Sequence, residues 1–154
     1  MATLYLLDSD TASDLYAVAR PVPEKMLRRM ERLVDGDALA VSVVTPYELE
    51  YGYAHAAEAA KPAIRAQIEA VLADCAVIPL DPTGARTFGE AKAWLVKGRG
   101  LSKDAARKIN ADVMIAVQAV LAGAVLVSAD KLHRDLAGPL GPLPGLRIED
   151  WNEG

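Results

Sequence analysis

Four short apolar runs, "TLYLLD", "ALAVSVV", "AVIPL" and "AVLVS", are spread along the chain, and segments with helical spacing of apolar residues fill the gaps between them. This alternation is the strongest constraint on the fold. Strands separated by helices cannot pair through tight hairpins, so each returns to the sheet by a crossover that leaves it parallel to its neighbours. The runs are apolar at odd and even positions alike, as strands buried on both faces must be. The expected architecture is therefore α/β, a three-layer α/β/α sandwich around a mostly parallel central sheet. A last short strand is expected at "LRI", after a tail punctuated by Pro and Gly.

The helical segments fall at residues 11–19, 23–36, 45–60, 62–73, 83–97, 102–109 and 111–122. Pro23 suits a first helical position and Gly36 a stop. Met26, Leu27, Met30, Leu33 and Val34 form one apolar stripe, with Arg28, Arg29 and Arg32 off it. Gly98 and Gly100 interrupt a later helix. The 154 residues suffice for one core, and no repeat, linker or low-complexity stretch divides them, so residues 1–154 read as a single domain.

A net charge of −4 argues against broad, salt-driven coating of nucleic acid, although a local basic track remains compatible with it. Arg86, Lys92, Lys97, Arg99, Lys103, Arg107 and Lys108 make such a track, with the three arginines of residues 28–32 as a second patch. Each has a plainer explanation as a solvated helix face. No aromatic run marks a base-stacking platform. Cys75 is the only cysteine, which excludes an intramolecular disulfide and fits a reducing compartment. The N-terminus lacks the features of a signal peptide. The most apolar stretch, "DVMIAVQAVLAGAVLVSAD", reads as helix, turn and strand and not as a membrane span. A cytoplasmic protein is expected.

In parallel sheets ligands bind beyond the carboxyl ends of the strands, so acids there carry the most information. Asp8 closes the first strand, Glu48 lies just after the second, Asp112 opens the helix that leads into the fourth, and Asp130 follows that strand. Each has a structural explanation too. Asp10 is the expected N-cap of the helix after the first strand. Thr45 and Glu48 fit a capping box. Asp112 would favour a helix dipole, and Asp130 would suit a turn. Asp8 alone has no evident capping duty. Brought together at one edge, four carboxylates would repel unless a divalent cation held them, and all-oxygen ligation suits Mg²⁺ or Mn²⁺. His55 and His133 stand apart from one another and form no rival ligand set.

"YLLDSD", "VTPYELEYG", "DVMIAVQAVLAGAVLVSAD" and "PGLRIEDW", in this order, resemble the PIN-domain ribonucleases, and among them the VapC-type toxins of toxin–antitoxin pairs. The resemblance covers nearly the whole chain and implies the PIN-like sandwich. It places the family's metal-holding acids on Asp8, Glu48, Asp112 and Asp130, with Ser128 where threonine is common. Asp10 stands where the family commonly has Asn. The segment "GRGLSKDAARKIN" is longer and more basic than usual, which makes Asp104 a second candidate for the place of Asp112. The resemblance implies a Mg²⁺- or Mn²⁺-dependent endoribonuclease acting on RNA, a homodimer, and a cognate VapB-like antitoxin. An antitoxin tail would place Arg or Lys near Asp8 and Asp112, and apolar antitoxin residues would pack on residues 11–35 and 46–60, where Tyr16, Tyr51 and Tyr53 lie.

Two other readings stay open at this point. "LLDSDT" also fits the Asp-x-Asp-x-Thr signature of haloacid-dehalogenase-like phosphatases, with Asp8 as nucleophile and Asp10 as acid/base. That reading leaves Glu48 and Asp112 unexplained. A non-catalytic binding module, its acids serving as caps, is the other.

Overall fold

The structure is a computed structural model, and it describes residues 2–153. Its elements follow in the order β1 (Leu4–Leu7), α1 (Ser9–Leu15), α2 (Glu24–Glu31), β2 (Ala38–Ser42), α3 (Val44–His55), α4 (Lys61–Asp74), β3 (Ala76–Ile78), α5 (Ala85–Arg99), α6 (Lys103–Lys108), α7 (Asn110–Ala122), β4 (Val125–Val127), α8 (Lys131–Ala137) and β5 (Arg147–Glu149). Short 3₁₀ turns at Glu58–Ala60 and Pro82–Gly84 precede α4 and α5.

The five strands form one sheet in the order β3-β2-β1-β4-β5, and every pairing is parallel. Leu6 sits beside Ala40 on one side and Leu126 on the other. These three residues face a core built with Ala91 and Leu95 of α5, Val113, Ile115 and Ala116 of α7, and Leu136 of α8. Their strand neighbours Tyr5, Leu7, Val41, Val125 and Val127 face the opposite way, onto Ala12, Leu15, Met26, Val71 and Trp151. The period-2 alternation of side chains thus feeds two cores, and the three-layer sandwich follows.

Strand order reverses at β1. The chain steps outward through β2 and β3, then returns to add β4 and β5 on the other side. A crevice opens at the carboxyl ends of β1 and β4, where neighbouring crossovers leave in opposite directions.

Several boundaries differ from expectation for physical reasons. α1 begins at Ser9, directly after β1, and not at residue 11. The helix expected over 23–36 ends at Glu31, with Pro23 as N-cap, because Asp37 draws the following turn together by accepting from the N–H groups of Val34 and Thr3. α5 runs through Gly98 and stops at Gly100, whose φ of 61° only glycine adopts without strain. β3 ends at Ile78, since Pro79 has no N–H to give. The helix expected over 45–60 ends at His55, with Glu58–Ala60 forming a separate 3₁₀ turn, and α8 has no sequence counterpart. Among the described residues, no helix is long and apolar enough to cross a membrane.

Gly141 packs where α8 hands over to the tail. A Cβ there would overlap the carbonyl oxygens of Leu136 and Asp135. Both belong to backbone, so Gly141→Ala should lower stability by about 1–3 kcal/mol, read as a drop in thermal midpoint.

Candidate active site

The sequence places a carboxylate at the end of the central strand, and the reversal of strand order makes that position the floor of the crevice. Asp8 is only 4 % exposed. Its N–H donates to the Val127 carbonyl (3.0 Å), and its Oδ1 accepts from the Thr11 N–H (2.8 Å). Asp8, and not Asp10, is therefore the N-cap of α1. The expectation that Asp8 has no capping duty fails because Asp8 is the single residue between strand and helix. Asp10 instead occupies the exposed first turn. Burial first, then the charges of Asp8, Asp14 and Asp130, raise its carboxyl above the usual range.

Glu48 reaches the crevice from α3. The expected capping box is absent. The N-cap of that helix is Val43, Thr45 lies within it and is fully buried, and Thr45 Oγ1 meets Ser9 Oγ at 3.0 Å. Ser9 donates instead to Glu48 Oε1 at 2.7 Å. The Ser9 hydroxyl thus pulls the glutamate toward Asp8, and nothing local in the sequence announces that contact.

Asp112 lies in the first turn of α7 and Asp130 caps α8, accepting from the Leu132 N–H at 2.9 Å. His133 joins the two. Its ring is fully buried, and Nε2 lies 2.9 Å from the Asp112 carbonyl oxygen, which can only accept. Nε2 therefore carries the proton, and in the neutral ring Nδ1 accepts from the Ser128 hydroxyl at 2.6 Å. Ser128 Oγ in turn accepts from the Asp130 N–H at 3.1 Å. The ring also stands 3.9 Å from Asp8 Oδ2, an approach that becomes an ion pair only if the imidazole takes a second proton. His133, Ser9 and Thr11 are the supporting residues that motif reading passes over.

The four sequence-predicted acids thus come from four separate segments of one sheet edge. Asp112 feels all the others. Burial pushes its carboxyl up to about 6, His133 works against that, and Asp130, Asp8 and Glu48 add to it. Asp104 has no part in this. It is exposed on α6 and faces Arg107 at 3.5 Å. A cleft of about 210 Å³ continues from the site, lined by Asp8, Asp10, Asp14, Asp130 and Asp150 with Met26 and Trp151.

The raised Asp112 carboxyl has a sign that can be checked. A folded-state value above the unfolded one contributes stability at low pH that is lost as pH rises toward the folded value. Without divalent ions, thermal stability should therefore fall between about pH 4 and pH 6 from this group, and Asp112→Asn should flatten that slope. Thermal melts across the pH range in chelator would measure it.

Among the described residues, no three His, Cys, Asp or Glu side chains close onto one point as a bare inner-shell metal site would. The donor chemistry nevertheless fits a hard, hydrated cation. Every donor is an oxygen, and one oxygen each of Asp8, Glu48 and Asp130 is engaged by Thr11, Ser9 and Leu132, leaving its partner oxygen for an ion or its waters.

The basic residues are largely committed elsewhere. Arg29 lies over the rings of Tyr5 and Trp151 and bonds Glu149, which makes it a core strut. Arg28 pairs with Glu24, Arg86 with Glu90, Arg99 with Asp135, and Lys92 bonds Asn110. Lys97, Lys103 and Lys108 have no ion pair among the described residues.

Comparison with known proteins gives this fold a family. The PIN domain family matches residues 5–139, and the chain belongs to it. The match removes the support for the phosphatase reading of Asp8. The structure is similar to that of VapBC-1 from nontypeable Haemophilus influenzae, with a TM-score of 0.71 at 20% identity, covering 98% of this chain and 100% of that one. It is similar to VapBC2 from Rickettsia felis, solved bound to a DNA fragment from its promoter (TM-score 0.72, 22% identity, 97% and 99% covered). DNA-bound VapBC from Salmonella typhimurium gives 0.66 at 25% identity, with 97% and 98% covered. The shared fold is that of the VapC toxins in these complexes. No curated protein sequence matches the chain.

Proposed function

We propose that this PIN domain is a Mg²⁺- or Mn²⁺-dependent endoribonuclease, the VapC-type toxin of a toxin–antitoxin pair. The observation that carries the reading is the convergence on Asp112: burial and the charges of Asp8, Glu48 and Asp130 all press upon one carboxyl at the switch point of a parallel sheet.

Asp8, Glu48, Asp112 and Asp130 would hold the cation. When bound, such an ion turns water into a hydroxide nucleophile and stabilises charge on the scissile phosphate. The protein's own part is orientation. Thr11 fixes the Asp8 rotamer, Ser9 turns Glu48 inward, and His133 ties the Asp112 turn to Ser128 and Asp130. Asp112 must shed its proton to serve, so divalent-ion affinity should weaken as pH falls below about 6. Lys103 and Lys108 on α6, just before α7, would meet phosphates.

The test is incubation of single-stranded RNA with purified protein and Mn²⁺, with and without chelator. Chelator-sensitive cleavage is the expected result. Absence of cleavage under every divalent ion would favour the binding-module reading.

A cognate VapB-like antitoxin and a homodimer belong to the same proposal. An acidic cleft lined by five aspartates and Trp151 suits an arginine or lysine side chain from an antitoxin tail. Val18 and Leu27, both exposed, offer apolar surface on the α1–α2 side. Tyr16 does not, since it is half-buried against Cys75. Co-expression with the adjacent gene should yield a complex that no longer cleaves RNA, and sedimentation should show a dimeric toxin. A free chain that cells tolerate while it cleaves RNA would point to a housekeeping nuclease.

A further inference from the structure

A cavity of about 590 Å³ lies between the edge strand β3, the 3₁₀ turn at Pro82–Gly84, the start of α5 and one side of α7. It shares no residue with the carboxylate site. Ile78, Leu80, Phe88, Met114, Val117 and Leu121 make its walls apolar. Among the described residues that line it, Asp81 alone is charged. Asp81 Oδ1 accepts from the Thr83 N–H and from the Thr83 hydroxyl, both at 2.9 Å. These bonds hold its carboxyl below the usual range, so the rim is negative at neutral pH. Small-molecule sites are concave, mostly apolar spaces of roughly 300–1,000 Å³ with a few fixed polar groups. This cavity has that size and that character.

Its fixed polar group is Gln118, which is only 5 % exposed. Nε2 donates to the carbonyl oxygens of Ile78 (3.0 Å) and Pro79 (3.1 Å). Carbonyls can only accept, so the amide cannot be turned round. Oε1 is therefore committed to the other side, where it is buried and accepts no hydrogen bond from the described residues. An unpaired buried acceptor is costly, and a donor that reaches it recovers that cost. Oε1 sits beneath the lining, so a lining side chain must give way first. Met114 lies one turn before Gln118 on α7 and lines the same cavity. Its unbranched thioether chain has three rotatable bonds and yields without any movement of backbone.

We propose that this cavity binds a neutral, largely apolar small molecule carrying one N–H or O–H donor, which it presents to Gln118 Oε1. The proposal does not depend on the ribonuclease reading. An anionic amphiphile would meet the Asp81 carboxylate and no basic side chain in the lining. A peptide would bring a succession of backbone donors and acceptors, and apolar walls would leave most of them desolvated and unpaired. A compact molecule with one donor matches the single acceptor and covers the rest of the wall with apolar surface.

The test uses the full chain and N-phenylnaphthylamine, a fluorescent probe with an apolar body and a single N–H. Its emission should rise saturably on binding. The isotope-labelled methyl group of Met114 should shift in NMR spectra, while those of Met26 and Met30, packed against the other core, should not. The N-methyl derivative keeps the apolar body without the donor and should bind about tenfold more weakly. Gln118→Met should lose this discrimination and bind the two probes alike. That change also leaves the Ile78 and Pro79 carbonyls without their donor, so a second variant guards against misfolding. Ala85 lines the cavity and is exposed, and Ala85→Trp adds bulk there with Gln118 intact. It should abolish probe binding with little change in thermal midpoint. Equal affinity of the unsubstituted chain for the two probes, discrimination that survives in folded Gln118→Met, or a shift of Met26 in place of Met114 would overturn the proposal. So would absence of binding, or binding that falls as protein concentration rises, since a second copy of the chain would then fill the cavity.

Discussion

Asp8→Asn should lower RNA cleavage by about a hundredfold to a thousandfold and leave the fold intact. A hard cation contributes several kcal/mol of charge stabilisation in such sites, and it needs anionic oxygen to stay bound. Asparagine offers an amide of the same size. Its Oδ1 can still accept from the Thr11 N–H, and Asn caps helices about as well as Asp. The junction between β1 and α1 therefore survives. Repulsion falls when one charge is removed from the four, so the metal-free thermal midpoint should hold or rise. The Asp112 carboxyl should also titrate closer to its ordinary range, because Asp8 is one of the charges that raise it. Cleavage assays in Mn²⁺ beside thermal melts would check both halves. A folded, fully active variant would remove Asp8 from the site.

His133→Ala should act oppositely, on stability first. The ring is completely buried and uses both nitrogens. Its removal leaves the Asp112 carbonyl and the Ser128 hydroxyl without their partner and opens a cavity, together about 3–4 kcal/mol. For a chain of this size that is a fall in thermal midpoint of about 8–12 °C. His133→Phe refills the volume without the hydrogen bonds and should recover part of the loss. Cleavage should remain low in both, since the turns bearing Asp112 and Asp130 are no longer tied. His133→Gln, which can return a donor toward Asp112, should recover more activity than His133→Phe at similar stability. Equal activity in the two would reduce His133 to packing.

Much of the fold was legible because burial on both faces writes each strand as an unbroken apolar run, as at Leu4–Leu7 and Val125–Val127. α8 was not. Seven residues make two turns, too few to set a period. Proximity in the chain also misled at the caps. Thr45 and Glu48 have capping-box spacing, yet β2 runs almost directly into α3 and the glutamate's partner is Ser9, on another element. Asp8 looked free of local duties because its helix was expected two residues too late. The acids themselves could be read from their positions beside strand ends. Their supports, Ser9, Thr11 and His133, could not, because each acts on a residue brought near only by the sheet.

The order of strands has a consequence for synthesis. Asp8 is made well before Asp112, Ser128, Asp130 and His133, which come from β4 and the helices on either side of it. A nascent chain grows by about 5–20 residues per second, and through most of that time β1 lacks its neighbour on one side. A nascent chain that has not passed β4 lacks Asp130 and so holds an incomplete set of carboxylates. For the ribonuclease proposed here, this delay matters, because the machine making it is itself built largely of RNA. On the proposed reading, the growing polypeptide stays inert beside its own template until β4 and the turn after it have been made.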